Sequence, residues 1–210
     1  MKRKAASGQP PRPPRSDLPG GPDEPLILVT ASNRARGRAG KVAVHVAGLL
    51  HRAFSIFLVD RAGKILLQQR SRCKYHSAGL WANTCCGHPR PGERTALAAR
   101  RRLREELGAD VPLRAGFRTH YRTQLGNGLI EHELVHVYFG PAPRTLRLEP
   151  AEVAGVAWMT LAALRADLRR RPGRYAYWLR HYLERHLPEL RRGLRAAARR
   201  DQTVPGALRT

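Results

Sequence analysis

Acidic residues and aromatic residues are both scarce in this sequence. Only 16 aspartates and glutamates stand against 39 lysines and arginines, which gives a formal net charge of +23. This excess would attract any polyanion, whether a nucleic acid or a diphosphate. Aromatic residues make up 6% of the chain, too few to interleave with the basic residues for base stacking. No helix-turn-helix, zinc-finger or RNP pattern is present, so no specific nucleic-acid partner is predicted.

Long apolar runs and paired cysteines are also missing. No apolar run approaches the length of a membrane span, and the first residues lack the apolar stretch of a signal peptide. Cys73, Cys85 and Cys86 make no disulfide framework, because there are only three and two of them are adjacent. We therefore expect a cytoplasmic protein with no membrane span.

The length of 210 residues suits one domain with tails. Residues 1–24 are rich in proline, glycine and arginine without apolar periodicity, which predicts a disordered basic tail. Residues 25–187 are predicted to form the domain. Residues 188–210 are predicted to form a basic, alanine-rich helix followed by a frayed tail.

The centre of the chain is the stretch NTCCGHPRPGERTALAARRRLREELG, which begins at Asn83. A loop with two cysteines and a histidine leads into a helix whose apolar stripe is Ala96, Ala99, Leu103 and Leu107. Gly108 lies where a helix C-cap belongs.

The remaining elements follow no regular βαβ rhythm, which favours an α+β fold, a mixed β-sheet sandwich flanked by helices. Polar residues 33–40 predict a turn. Strands are predicted at 26–29, 54–59, 65–69, 111–121, 129–139 and 153–159, and helices at 161–168, 175–186 and 189–200. Thr160 is the predicted N-cap of the helix at 161–168. On the strand at 129–139, alternation puts Glu131 and Glu133 on one face, where they repel each other unless a cation or a proton lies between them.

Histidines and carboxylates of this chain form a plausible ligand set for a divalent ion. Three imidazoles and two carboxylates would suit the octahedral coordination of Mn²⁺, Mg²⁺ or Zn²⁺. Each histidine alone is more often a core or surface residue, so spacing leaves both readings open. The residues concerned are His45, His51, His88, Glu131 and Glu133.

The spacing around the central helix resembles the Nudix signature, so a Nudix-like fold is implied. The matching residues are Gly87, Glu93, Arg101, Arg102, Leu103, Glu105, Glu106 and Gly108. Arg102 departs from the pattern of the hydrolases, which carry a glutamate there to hold metal against a diphosphate. This departure keeps diphosphate binding possible and weakens the case for hydrolysis.

Several segments resemble the type I isopentenyl-diphosphate isomerases, a Nudix-fold family that carries an arginine at the position of Arg102. They are GLLHRAFSIFLVD, LLQQRS, WANTCCGHPRPGE, RRLREELG and IEHELVHVYF. The resemblance implies conversion of isopentenyl diphosphate to dimethylallyl diphosphate in isoprenoid biosynthesis, by metal-assisted protonation and deprotonation through a tertiary carbocation. A small isoprenoid diphosphate would be the partner, and we expect a monomer or weak dimer.

The same resemblance implies roles for individual residues. Cys86 and Glu133 match the catalytic pair, and Tyr121 matches the tyrosine that hydrogen-bonds to the glutamate. Trp178 matches an active-site tryptophan facing the carbocation. Metal ligands are matched by His45, His51, His88, Glu131 and Glu133, the diphosphate-binding groups by Arg70, Lys74 and Arg102, and the carboxylate for a substrate-bound Mg²⁺ by Glu106.

Two positions depart from the family pattern. Ser77-Ala78-Gly79 stands where the family usually has an aromatic residue, proline and glycine, and the gap between His45 and His51 is shorter than in some members. A Nudix pyrophosphohydrolase is the alternative, motivated by Glu93, Glu105 and Glu106, although a hydrolase has no need of Cys86. A nucleic-acid-binding protein is the third reading, and charge alone motivates it.

Deletion of residues 1–22 should leave turnover unchanged, because this segment has almost no apolar residues with which to dock. Steady-state rates of the truncated and full-length proteins would be compared. A large loss of turnover would show that the tail contributes to the site.

Overall fold

The computed structural model describes residues 24–125 and 128–201, so the tail predicted at 1–24 lies almost wholly outside the described residues. Within these described residues, nine strands form one sheet. The strands are β1 (Pro25–Val29), β2 (Ala35–Gly40), β3 (His51–Val59), β4 (Lys64–Arg70), β5 (Trp81–Ala82), β6 (Cys85–Gly87), β7 (Arg114–Gln124), β8 (Ile130–Pro141) and β9 (Val153–Thr160). Every pair of neighbours is antiparallel except β3 and β8, which run parallel. The α+β class with a mixed sheet is confirmed.

In the part of the chain that the structure describes, five α-helices and one 3-10 turn at Pro172–Arg174 cover the sheet. The helices are α1 (Lys41–Ala47), α2 (Thr95–Leu107), α3 (Leu161–Arg170), α4 (Tyr177–Arg185) and α5 (Leu187–Asp201). Helix α2 ends at Gly108 in the left-handed region, at φ 61°, which confirms the predicted C-cap. Thr160 accepts a hydrogen bond from the Ala163 amide, which confirms the predicted N-cap of α3.

The sheet is buried on both faces, and β3 lies at its centre. Phe54, Ile56 and Leu58 point into the core beneath α2, whereas Ala53 and Phe57 point into the larger core beneath α3, α4 and α5. This alternation follows from the two-residue period of a strand. A strand covered on both faces reads as a near-continuous apolar run, and FSIFLV is such a run apart from Ser55.

Two local predictions differ from the structure. Residues 33–40 are predicted as a turn, but Ala35–Gly40 forms the edge strand β2 beside β1. An exposed edge strand needs no apolar face, so its polar sequence carries no strand pattern. In the stripe of α2, Ala96 is exposed and Ala98 is buried in its place.

Helix α5 packs on the sheet as part of the larger core. Leu190, Leu194 and Ala197 are buried there, and a Cβ built on Gly193 would lie 2.3 Å from the Phe139 ring. Only glycine permits that approach. No helix within residues 24–125 and 128–201 is long and apolar enough to cross a membrane.

Leu190→Ala should lower the free energy of unfolding by about 2–5 kcal/mol, because it empties a fully buried position. Arg192→Ala on the exposed side of the same helix should change it by less than about 0.5 kcal/mol. Urea unfolding of the two variants checks this difference. Equal, small effects would show that α5 contributes little to the core.

Candidate active site and metal centre

The parallel pairing of β3 with β8 assembles the centre of the site. Its register places His51 directly beside Glu133. Glu131 lies two residues earlier on β8 and is buried on the same face, as strand alternation predicts.

Two further histidines reach the same place from other elements. His45 comes from α1, and His88 follows β6. One ring nitrogen from each of His45, His51 and His88 lies within 4.8 Å of the others. His45 therefore joins the cluster despite its short separation from His51, because α1 ends at Gly48 in the left-handed region and the chain reverses into β3.

Backbone hydrogen bonds fix Nδ1 of two of these rings, so that their Nε2 atoms carry the lone pair; His45 Nε2 lies 3.4 Å from the Tyr75 hydroxyl. His45 Nδ1 lies 2.7 Å from the Lys41 carbonyl oxygen, and His51 Nδ1 lies 2.9 Å from that of Leu49. Because a carbonyl only accepts, Nδ1 carries the proton and Nε2 presents its lone pair. His51 Nε2 is buried and has no hydrogen-bond partner among the described residues. This donor set fits a divalent metal ion.

The electrostatics of the imidazoles also suit a ligand role. Burial lowers the pKa of His45 to about 4 and that of His88 to about 3. Both rings are therefore neutral at neutral pH, the form that binds metal.

The two carboxylates occupy unlike environments. Glu133 Oε1 lies 3.0 Å from His88 Nε2 and 3.6 Å from His51 Nε2, and Oε2 accepts a 2.7 Å hydrogen bond from Tyr121. Burial favours a higher pKa for Glu133, but its contacts with His51 and His88 outweigh burial and hold the pKa well below the usual value. Burial, reinforced by the charge of Glu133, raises the pKa of Glu131 well above its usual value. A cation beside both would favour the ionised form of each.

His76 belongs to this cluster and is missed by the sequence patterns. Its Nδ1 lies 3.5 Å from Glu131 Oε1, and its ring centroid lies 5.8 Å from that of His45 and 6.2 Å from that of Trp178. It sits in irregular chain just before Ser77, whose φ is 49°. Neither helical nor strand periodicity exists there to indicate where the side chain points.

A second cluster pairs buried carboxylates with half-buried cations. Arg102 pairs with Glu106 and lies 3.1 Å from Glu152, which also pairs with Lys74. Gln68 donates a 3.1 Å hydrogen bond to Glu106. Burial lowers the pKa of Lys74 to about 7. Glu152 is a second residue that the sequence patterns miss, because a glutamate just before a strand carries no signal of its own.

Arg70 and Trp178 lie between the two clusters. The Arg70 guanidinium stacks over the Trp178 ring at 5.2 Å, and Arg70 donates a 3.1 Å hydrogen bond to the His76 carbonyl. Arg70 Nε and Trp178 Nε1 are buried without a hydrogen-bond partner among the described residues. Two such donors fit an oxygen-rich ligand, since buried donors are ordinarily paired.

The adjacent cysteines face opposite sides of the sheet. Cys85 is fully buried in the core beneath α2, whereas Cys86 pairs with Ser55 on β3 and packs against the other core. Burial raises the pKa of the Cys86 thiol to about 12, and the charge of Glu133 adds to the effect. Cys86 is thus a protonated thiol close enough to Glu133 to respond to its charge.

Comparison with known proteins identifies the class of protein. Residues 49–182 match the NUDIX domain, and the chain belongs to the Nudix family. A solved MutT NUDIX hydrolase from Burkholderia pseudomallei is 27% identical, with a TM-score of 0.51 over 64% of this chain and 96% of that one.

More similar relatives give the particular family. The isopentenyl-diphosphate Delta-isomerase 2 of Aromatoleum aromaticum is 49% identical over 163 residues, 78% of this chain and 86% of the relative. The isopentenyl-diphosphate Delta-isomerase of Burkholderia multivorans is 47% identical over 171 residues, 81% of this chain and 97% of the relative. Within the Nudix proteins, this chain belongs to the isopentenyl-diphosphate Delta-isomerases.

Replacement of His51 by alanine should abolish binding of the divalent ion, because it removes a buried Nε2 that has no hydrogen-bond partner among residues 24–125 and 128–201. His136→Ala is the matched control, since that ring lies on the opposite face of β8 and contacts Asn33. Metal content after equilibrium dialysis against Mn²⁺ is the measurement. Full metal content in the His51 variant would contradict the ligand assignment.

Proposed function

We propose that this protein converts isopentenyl diphosphate into dimethylallyl diphosphate. Membership of the isopentenyl-diphosphate Delta-isomerases supports the reaction, since the relatives above carry that name. The observation that carries the proposal most directly is geometric: the Cys86 thiol packs on the side of the sheet that holds Tyr121, whose hydroxyl donates a hydrogen bond to Glu133.

The reaction requires two proton transfers to and from carbon. One proton is added to the terminal alkene carbon, which leaves a tertiary carbocation, and another is removed from C2 to form the new double bond. An unactivated alkene is a very weak base, so one positioned acid and one positioned base are needed. Cys86 and Glu133 are our candidates for these two groups.

Tyr121 and Trp178 would support that chemistry. The Tyr121 hydroxyl orients the Glu133 carboxylate through its 2.7 Å hydrogen bond. Trp178 offers the face of an indole, which attracts a cation. Burial of Tyr121 and Trp178 keeps water out, and water would otherwise trap the carbocation as an alcohol.

Arg70, Lys74 and Arg102 are our candidates for holding the diphosphate. Lys74 and Arg102 are already paired with carboxylates, so their cluster is close to neutral without substrate. A diphosphate would compete with Glu152 for both cations, while Arg70 Nε offers a donor that nothing in the described protein occupies. Binding energy from the diphosphate end then positions the alkene.

Divalent ions complete the proposal. Mn²⁺, Mg²⁺ or Zn²⁺ held by His45, His51, His88, Glu131 and Glu133 would set the proton affinity of Glu133, and a substrate-bound Mg²⁺ reached by Glu106 would offset diphosphate charge. The donor types fit these ions, because imidazole and carboxylate ligands suit Mn²⁺ and Zn²⁺, and carboxylates suit Mg²⁺. A small isoprenoid diphosphate as partner and a monomer or weak dimer stay predictions.

The alternative, pyrophosphohydrolysis, is opposed by the ion pairs of α2. Glu93 receives two hydrogen bonds from Arg101, at 2.8 and 2.9 Å, and Glu105 pairs with Arg101 and Arg102. A hydrolase needs such carboxylates for metal. In this protein the same carboxylates form ion pairs with arginines instead.

Incubation with isopentenyl diphosphate and Mg²⁺ separates the two activities, because an isomerase yields dimethylallyl diphosphate and a hydrolase releases phosphate. Cys86→Ser should lower kcat by about three orders of magnitude with KM nearly unchanged, since a proton-transfer group acts mainly in the transition state. Cys85→Ser is the control and should cost little in kcat, because Cys85 faces the opposite core.

Product analysis and steady-state kinetics of both variants are the measurements. Phosphate release without isomerised product would overturn the proposed function. A dead Cys85→Ser enzyme beside a healthy Cys86→Ser enzyme would overturn the assignment of the catalytic thiol.

A further inference from the structure

Two polar side chains contact the Cys86 sulfur, and a third, Tyr182, contacts one of these two. Asn83 Oδ1 and Ser55 Oγ each lie 3.3 Å from Cys86 Sγ, and Ser55 Oγ lies 2.8 Å from the Tyr182 hydroxyl. Ser55 and Tyr182 are buried, at 1% and 0% exposure. Water does not reach these buried groups, so they depend on hydrogen bonds to neighbouring side chains.

The orientation of the Asn83 amide is fixed by two backbone carbonyls. Asn83 Nδ2 donates to the carbonyl oxygens of Ile56 and Cys85, at 3.0 and 3.2 Å. A carbonyl cannot donate, so the nitrogen must face them and Oδ1 must face Cys86. Oδ1 only accepts, and it therefore takes the single proton of the Cys86 thiol.

The remaining hydroxyl protons fix the direction of every hydrogen bond in this series. Because the Cys86 proton points at Asn83, the contact between Ser55 and Cys86 needs the Ser55 proton, and Ser55 donates to sulfur. The single hydroxyl proton of Ser55 is then engaged with the sulfur, so in its contact with Tyr182 it accepts and Tyr182 donates. The order of donation is Tyr182 to Ser55 to Cys86 to Asn83.

The series of hydrogen bonds ends inside the protein. Tyr182 lies on α4 within the larger core, and its ring packs against Phe57. Its proton has no route to solvent along these hydrogen bonds. The chain therefore orients the sulfur and does not conduct protons to or from it.

We propose that Ser55 and Tyr182 are positioning residues for the reaction of Cys86, holding its sulfur in one orientation by donating hydrogen bonds in series. This inference rests on the proposed function, in which the thiol takes part in proton transfer. Neither residue needs to touch substrate. Loss of either should lower the rate of the chemical step and leave substrate binding nearly unchanged.

The kinetic test uses Ser55→Ala and Tyr182→Phe, which keep nearly the original volume. Ser55→Ala should lower kcat about tenfold and Tyr182→Phe about threefold, with KM changed less than about twofold, as expected for lost hydrogen bonds to the reacting group. Tyr175→Phe is the control, because it removes a buried tyrosine hydroxyl that bonds to Asp167 at 2.6 Å. This control should keep wild-type kcat.

An infrared measurement tests the contact independently of turnover. The S–H stretching band of Cys86 is isolated by subtracting the spectrum of the same metal-loaded protein with Cys86→Ser. Hydrogen bonds in series strengthen one another, so Ser55→Ala should weaken the hydrogen bond from the Cys86 thiol to Asn83. The covalent S–H bond is then stronger, and its stretching band moves to higher frequency. Tyr182→Phe should give a smaller shift in the same direction, and Tyr175→Phe none.

The two failures are distinguishable. An active wild-type enzyme whose Ser55 and Tyr182 variants keep both kcat and the S–H band would overturn the positioning role alone. A kcat loss equal to that of Tyr175→Phe, with an unmoved band, would overturn it too, since the effect would then be general destabilisation. A wild-type protein that isomerises nothing would overturn the proposed function, and the positioning role with it.

Discussion

The parallel pairing of β3 with β8 is the constraint on which the rest of the site depends. Its register runs from His51 beside Glu133 to Val59 beside Pro141, through the centre of both cores. A slip of one residue would turn the carboxylates of β8 away from the histidines and expose apolar residues on the buried faces. Core packing and placement of the β8 carboxylates beside His51 are therefore one requirement, and the free energy of apolar burial holds these side chains in place.

The same alternation separates the two adjacent cysteines. Because neighbouring residues of a strand point to opposite faces, only one thiol can reach the side that holds Glu133 and Tyr121. Cys85 faces the apolar core beneath α2, while Cys86 meets Ser55 and the amide of Asn83. Polar neighbours around one sulfur and a largely apolar core around the other give similar residues one position apart different surroundings.

Much of this arrangement was accessible from the sequence, for identifiable reasons. Helix α2, its Gly108 cap and the alternation on β8 follow local rules of periodicity and capping, and these elements were predicted correctly. Strand β2 carries no apolar face, so nothing local indicated it. His76, Glu152 and Tyr182 lie near the site through contacts between distant segments, as with Tyr182 and Ser55, which are 127 residues apart. No pattern within one element reports such contacts, and for these residues the tertiary structure was necessary.

Arg102 shows how one residue redistributes the charges of this fold. A carboxylate at that position, together with Glu105 and Glu106, would give one face of α2 a strong negative charge that could bind metal ions. The guanidinium instead pairs with Glu105, Glu106 and Glu152, so the charges of the helix are largely compensated within the protein. The buried Nε2 of His51, on β3, and the carboxylates of Glu131 and Glu133, on β8, lie outside this set of ion pairs. The histidine and carboxylates at the β3–β8 pairing therefore lie apart from the compensated charges of α2, on the side of the sheet that holds Cys86 and Tyr121.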